Sequence, residues 1–574
     1  MTRTLTLIAS VAAASGSSCI NTIPADLRDL PPIRTSDGTS VLYIGVLSQM
    51  FKTARNNYAY SMKGANRFAA VYMAIKEIND KTDGIADDLL PNTQIKFAYH
   101  DTHADSYFGF FDAANLVSNA FGGKPISAVI GPAFSGVSAE VATVLERAEI
   151  PQISFSATSP ALSNSTLYPY FMRTPPSDAF QGAAMADVVK NLMGYTAVAT
   201  VNTATMYGST GMGAFLNTAT AIGLNVLTSV EFNPAQTDFS TQIATLRASG
   251  ANVVVIFCHA GDAGPFMKAA YAAKLNIQVW MGSQSAVSPE TWHGIMTSAE
   301  QEAIMKGTFA VTLPVPTGRT QYDTFVTRIK EQPDTSRLNH LPPCDMTTDD
   351  EGNLIFASNF SGALMCGGSD SQYVEAYEPY AYDSVYALAY GLDYLIKTQG
   401  TSTVVGSELK DSLLTHVDFE GASGRVKFSA NGDREVGVSF DVLNYHLDAS
   451  NLVTIGTWQP CPSGSTDGCE FSSRYSAKSG ASVEYSTGTS AAPEQKGIAI
   501  SGAPPASPST SPSTGMDTAM IEAILAFVVL IFVMNGIVIA IILASRKTAP
   551  LLRSGDVELQ VEASGEKRVS MNPA

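Results

Sequence analysis

The stretch "ISAVIGPAFSGVSAEVATVL", Ile126–Leu145, is closely followed by "PQISFSATSPALSNSTLYPYF", Pro151–Phe171. Each opens as an apolar strand and then breaks into small hydroxyls, Ser135 in the first and Ser156 and Thr158 in the second. Between them lies a helical stretch, Val137 to Ala148. Two strands that both end in short alcohols point to a cleft rather than a plain surface loop.

The same rhythm extends in both directions. "VLYIGVLS" (Val41–Ser48) is followed by a helix from Ser61 to Lys81, the strand "QIKFAYH" and a helix near Phe108 to Phe121. Beyond the opening stretch come a helix from Ala179 to Leu192, "AVATVN", a helix near Met212 to Ile222 and "NVLTSVEF". A helix from Thr237 to Ser249, "NVVVIFC", a further helix and "IQVWMGS" complete the series. Such alternation predicts parallel sheets with helices on both faces. About 420 residues of it exceed one core and predict two doubly wound α/β lobes.

At 574 residues with 45% hydrophobic and 15% charged residues, the composition is that of a globular chain. A formal charge of −17 and the lack of any Lys/Arg-rich block exclude nucleic acid or anionic lipid as the main partner. The N-terminus, with Arg3, an apolar stretch Leu5–Ala14 and then small residues, has the layout of a signal peptide over residues 1–18.

Near the other end, "AILAFVVLIFVMNGIVIAIILA" runs uncharged from Ala523 to Ala544. As a helix it would be about 33 Å long, enough for a bilayer core of roughly 30 Å. Arg546, Lys547 and Arg553 follow it, so the positive-inside bias puts the tail in the cytoplasm and the large N-terminal part outside. The expected layout is therefore a bilobed domain over 41–460, a Cys pair and Ser/Thr/Pro-rich stalk over 461–519, one transmembrane helix over 520–545 and a short tail over 546–574. Such a chain is a type I, single-pass protein of the cell membrane.

The cysteines fit an exported protein. Cys344 and Cys366 bracket a polar loop, and Cys461 and Cys469 bracket "PSGSTDG"; each pair reads as a disulfide. Cys258, ending an apolar run, reads as a buried free thiol. Asn164 and Asn359 head glycosylation sequons.

In open α/β sheets ligands bind at the C-terminal ends of strands, where a following helix offers unpaired N–H groups. Ser135, just before its helix, and Ser156 and Thr158, leaving the next strand, would suit a carboxylate there. The same residues also suit an N-cap and turns.

The ordered set of residues resembles the Venus-flytrap domain of class C receptors, with metabotropic glutamate receptors the nearest pattern. The resemblance covers roughly Val41 to Pro460 and is densest in "GPAFSGVS", "IPQISFSATSPALSNSTLYPYFMRTPPSD" and "FQGAAMADVV". It implies that Ser135, Ser156 and Thr158 hold the α-carboxylate and α-amino groups of an amino acid. It also implies that Asp178 helps neutralise the ammonium, that Tyr207 covers the ligand and that Arg67 reads a distal carboxylate. Two positions depart from the family pattern. Gln284 stands where glutamate receptors carry a second acid, and Tyr377 is the nearest match to a pairing lysine. An amino-acid-like ligand follows from the resemblance; glutamate itself does not. The run "SRKTAPLLRSG" (Ser545–Gly555) resembles a first intracellular loop of seven-helix class C receptors.

No G-x-S-x-G elbow is present and Ser135 has no evident histidine partner, so an enzyme is not expected. His100 and His103 in "YHDTHAD" read either as a metal pair or as a solvated loop, and His259 as a titrating cleft residue or a plain loop histidine. No cofactor is expected. The function expected is a cell-surface receptor whose flytrap closes on an amino-acid-like ligand, with a homodimer or co-receptor for output. Two other functions share the fold: the substrate-binding protein of an amino-acid uptake system, and a natriuretic-type peptide receptor or decoy.

Overall fold

A computed structural model describes residues 33–34, 40–54, 57–119, 124–288, 292, 295–331, 346–348, 354–356, 374, 376–401, 404–446, 451–461, 474–486 and 490. By internal packing the chain divides into Met1–Gly497 and Ile498–Ala574, and every described residue belongs to the first unit.

The central strand of the first lobe, Ser40–Ser48, is buried along nearly its whole length, as a parallel strand covered on both faces must be. It pairs in parallel with Thr93–Asp101 on one side and Ala128–Ile130 on the other. Gln152–Ser154 and Phe171–Arg173 follow in parallel. Counting in chain order, these five strands lie 2-1-3-4-5, and the order reverses between Ser40–Ser48 and Ala128–Ile130. Two antiparallel strands, Met346–Thr348 and Leu354–Phe356, extend one edge.

The second lobe repeats this plan. Asn225–Phe232, Ala197–Thr203, Val253–Phe257, Val279–Gly282 and Phe309–Thr312 again lie 2-1-3-4-5, all parallel. Phe440–His446, Asn451–Trp458 and Tyr475–Ala477 add an antiparallel flank. The expected α/β architecture of two doubly wound lobes is what the chain forms.

Helices cover both faces. Met62–Asn79 and Glu378–Asp393 pack on one side of the first sheet, while Ser106–Asn119 and Ser135–Arg147 close the other over Leu116, Val137, Val141 and Leu145. On the second sheet, Asp178–Asp187 and Met206–Ala221 face Ala260–Ala272 and Ser240–Ser249 across the strands. One apolar core runs on from lobe to lobe and takes in Phe68, Phe155, Phe215 and Phe309.

The chain crosses between lobes after Arg173, after Thr312 and again before Phe440. Two buried arginines tie the first and last of these crossings together. Arg173 donates to the carbonyls of Ala157 and Ser159 and to Asp433, and Arg434 donates to the carbonyls of Thr174, Ser423 and Arg425. At full burial each guanidinium needs such partners to offset its desolvation.

Several boundaries move relative to the sequence expectation. The helix expected from Val137 begins at Ser135, and the one expected from Met212 begins at Met206, capped by the Thr205 side chain. The second lobe does not stop at Pro460. Tyr475–Ala477 pairs with Asn451–Trp458, and Tyr485 is buried 5.7 Å from the Phe309 ring. A segment poor in core-forming residues is thus fastened by two tyrosines, a weak pattern that composition conceals.

Among the described residues no helix is long and apolar enough to cross a membrane. The expected signal peptide over residues 1–18, Cys344, Cys366, Cys469, Asn359 and the apolar run Ala523–Ala544 lie outside the described residues.

Candidate functional site

Both sheets point the C-terminal ends of their strands at the gap between the lobes. In the first, the chain turns out of Ala128–Ile130 through Gly131, at φ +95°, where a Cβ would lie 2.0 Å from the Leu47 carbonyl oxygen. Phe134 then occupies the N-cap without a side-chain cap bond, so the first N–H groups of Ser135–Arg147 receive no side-chain cap from it. Ser135 is the first residue of that helix rather than part of the linker before it. Its hydroxyl accepts from the Ser159 N–H at 3.2 Å.

Thr158 is buried, and its Oγ1 donates to Asp178 Oδ2 at 2.7 Å. In return the Asp178 N–H donates to the Thr158 carbonyl at 2.8 Å. This reciprocal pair fastens the end of a lobe-one strand to the first residue of the helix that enters lobe two. Burial pushes the Asp178 carboxyl up to about 7, against the opposing pull of the Thr158 hydroxyl and the Arg173 charge. Ser156 is half-buried, between the Ser154 hydroxyl that its N–H reaches at 3.4 Å and the gap.

From lobe two, Tyr207 stacks on His259 with centroids 4.6 Å apart and planes 15° apart, and leans on Phe257. Its hydroxyl donates to Ser283 Oγ at 3.1 Å. Burial, then the nearby Asp178 charge, holds the phenol well above its usual range. His259 occupies the N-cap position of the helix Ala260–Ala272, without a side-chain cap bond, and its ring lies 5.1 Å from that of Phe134. The N-termini of two helices, one from each lobe, therefore face each other through aromatic side chains. Lys63 Nζ also spans the gap, donating to Ser288 Oγ at 3.2 Å.

Arg67 is buried with its guanidinium 4.9 Å from the Tyr377 ring centroid, so these two positions do come together. Gln284 uses its Oε1 to accept from the Leu313 N–H at a lobe crossing. Ser159, Thr210, Ser283 and Lys63 were not singled out from sequence. Lys63 stands four residues before Arg67 on one helix, a spacing that places both on one face. A surface depression along Thr320–Glu331, lined by Thr320, Asp323, Thr324, Thr327 and Arg328, shares no residue with this set.

The histidines of "YHDTHAD" pair with separate carboxylates, His100 with Asp112 at 3.3 Å and His103 with Asp101 at 3.6 Å. No cluster able to hold a metal occurs among the described residues. Cys258 is a free, buried thiol, and Cys461 is disulfide-bonded. Asn164 is exposed, its side-chain oxygen accepting from the N–H groups of Thr166 and Leu167.

Metabotropic glutamate receptor 8 of Homo sapiens is 29% identical over 436 residues, which is 69% of this chain and 46% of the receptor. Metabotropic glutamate receptor 4 of Mus musculus is 32% identical over 241 residues, 39% of this chain and 26% of its own length. Glutamate receptor 3.1 of Oryza sativa subsp. japonica is 24% identical over 419 residues, 68% and 39% respectively. The chain thus spans less than half the length of the curated relatives it matches.

Among solved structures, a leucine binding protein of Thermotoga maritima superposes with a TM-score of 0.55 at 18% identity, over 73% of this chain and 99% of that one. That likeness establishes the bilobed periplasmic-binding-protein-like fold. Residues 66–448 match the receptor family ligand binding region, and the chain belongs to that family.

Proposed function

We propose that the two lobes close on a small ligand carrying an amino-acid head group. The observation that carries this reading is the reciprocal Thr158–Asp178 pair at the end of a lobe-one strand, with Tyr207 of lobe two close to the same carboxyl. Ser135, Ser156 and the first amides of Ser135–Arg147 receive the carboxylate, because a helix start supplies N–H donors and a favourable dipole. Asp178, once ionised, pairs with the ammonium. Tyr207 covers the ligand from lobe two, and Arg67 reaches toward its distal end. Gln284, whose Oε1 accepts from the Leu313 N–H at the crossing, offers its amide N–H groups to an acceptor on the ligand.

A ligand that touches both lobes favours the closed form, and that difference in affinity is the signal. In this reading residues 1–18 are removed on export and Asn164 and Asn359 are glycosylated. Cys344–Cys366 and Cys461–Cys469 form disulfides, and one helix over 520–545 anchors the chain in the cell membrane. Output then passes through a homodimer or co-receptor.

A second reading, the binding component of an uptake system, draws on the likeness to a leucine binding protein along almost its whole length. Membrane extraction discriminates: a receptor stays with the membrane through high salt and alkali, and a free binding protein does not. The ligand class is tested by thermal-shift screening against the twenty amino acids and their decarboxylated relatives. A true ligand raises the melting temperature by mass action. If no compound of that panel does so, the ligand class is wrong.

A further inference from the structure

Beside Thr158, the neighbouring Ser159 is fully buried and touches three parts of the molecule. Its N–H donates to the Ser135 hydroxyl, its carbonyl accepts from Arg173 at 2.7 Å, and its hydroxyl lies 2.7 Å from Thr210 Oγ1 on the lobe-two helix Met206–Ala221. The direction of that last bond follows from counting protons. A hydroxyl has one proton to give. Thr210 gives its own to the Met206 carbonyl at 2.7 Å, and Ser159 Oγ already accepts from the Ala161 N–H at 3.2 Å. Ser159 is therefore the donor, and a directed chain runs from its hydroxyl through Thr210 to the Met206 carbonyl.

We infer that Ser159 and Thr210 form a latch between the lobes, and that Ser159 is a positioning residue for the ligand site. It fixes the Ser135 hydroxyl on one side and bonds the opposite lobe on the other. Thr158 and Ser159 then divide the work, one bonding Asp178, the partner of the ligand's ammonium, and the next setting how readily the gap stays shut. The Phe134–His259 contact lies on the same side of the molecule as Ser135 and adds a second point where the lobes meet. The inference deepens the proposed clamp and rests on its closing motion, but not on which ligand closes it.

Single-molecule energy transfer on the full-length chain tests this, with dyes introduced through unnatural amino acids at Tyr107 of lobe one and Tyr271 of lobe two, both exposed. Without added ligand, Thr210→Val should shift the closed-to-open ratio roughly two- to tenfold toward open, the factor one net hydrogen bond supplies. Thr210→Ser, which keeps the hydroxyl, should stay near wild type and controls for misfolding. Ser159→Ala added to Thr210→Val should shift the ratio no further.

An unchanged ratio in Thr210→Val overturns the latch, as does a single fixed distance in the wild type. With the twenty amino acids added in turn as probes, a ratio that responds to Thr210→Val but to none of them upholds the latch. It places the failure in the ligand reading instead.

Discussion

Lobe one meets the gap with short alcohols and main-chain amides: Ser135, Ser156, Thr158 and the start of Ser135–Arg147. Lobe two meets it with rings, Tyr207 stacked on His259 and backed by Phe257. Both faces grow from the same 2-1-3-4-5 strand order, so the contrast comes from side chains and not from topology. Alcohols and amides recognise a charged head group by direction, whereas rings exclude water and complete a surface. A substitution in lobe one should therefore act chiefly on binding, and one in lobe two chiefly on stability and closure.

The largest expected effect breaks the aromatic face. Tyr207→Ala removes a buried ring from between His259 and Phe257 and should destabilise the domain by about 3–5 kcal/mol in chemical denaturation. Tyr207→Phe keeps the ring, loses the hydroxyl's bonds to Ser283 and Ser285, and should cost about 1 kcal/mol. If the two variants were equally destabilised, the ring would not be packed as described and the contrast between the faces would fail.

The fold was largely legible because parallel strands buried on both faces leave continuous apolar runs such as Val41–Leu47 and Val253–Phe257. Lobe-one hydroxyls were legible for a related reason: each interrupts such a run abruptly. The lobe-two face was harder. His259 and Thr210 resemble ordinary loop and helix residues, and only the folded chain brings them to Phe134 and Ser159. Helix starts at Ser135 and Met206 were missed because glycine and serine in the first turn hide the periodicity. The second sheet's last strand, Tyr475–Ala477, was hidden by its polar neighbours.

The next effect sharpens the lobe-one side. Thr158→Val keeps shape but strips the hydroxyl from Asp178, so ligand affinity should fall roughly 10- to 100-fold, the range for a hydrogen bond to a charged group. Its thermal shift by ligand should vanish while circular dichroism stays native. A retained shift would separate Thr158 from recognition.

Asp178 gives a pH test with two opposite slopes. Its carboxyl holds a proton to about pH 7 in the folded chain and loses it near 4 when unfolded. The folded state therefore binds more protons in this window, and unliganded stability should fall as pH rises through it. An ammonium ligand needs the ionised form, so affinity should rise about tenfold per pH unit up to about 7. Asp178→Asn should flatten both profiles. Calorimetric titration across pH 5 to 8 reads the second slope, and a flat wild-type profile would remove Asp178 from the ammonium site.

The smallest effect lies where the two faces join. Gln284 sits just beyond the lobe-two strand Val279–Gly282, and its Oε1 takes the N–H of Leu313, the residue after Phe309–Thr312 as the chain leaves that lobe. Gln284→Ala strands one amide at a partly buried crossing, and about 1 kcal/mol of stability should be lost. Gln284→Glu still offers an acceptor to Leu313 and should recover most of it. Because the acceptor end of Gln284 faces the crossing, neither change should move ligand affinity more than a few-fold. A strong gain in affinity for a cationic ligand in Gln284→Glu would instead turn this residue toward the gap, and would extend the charged, directional chemistry of lobe one onto the face that otherwise works by packing.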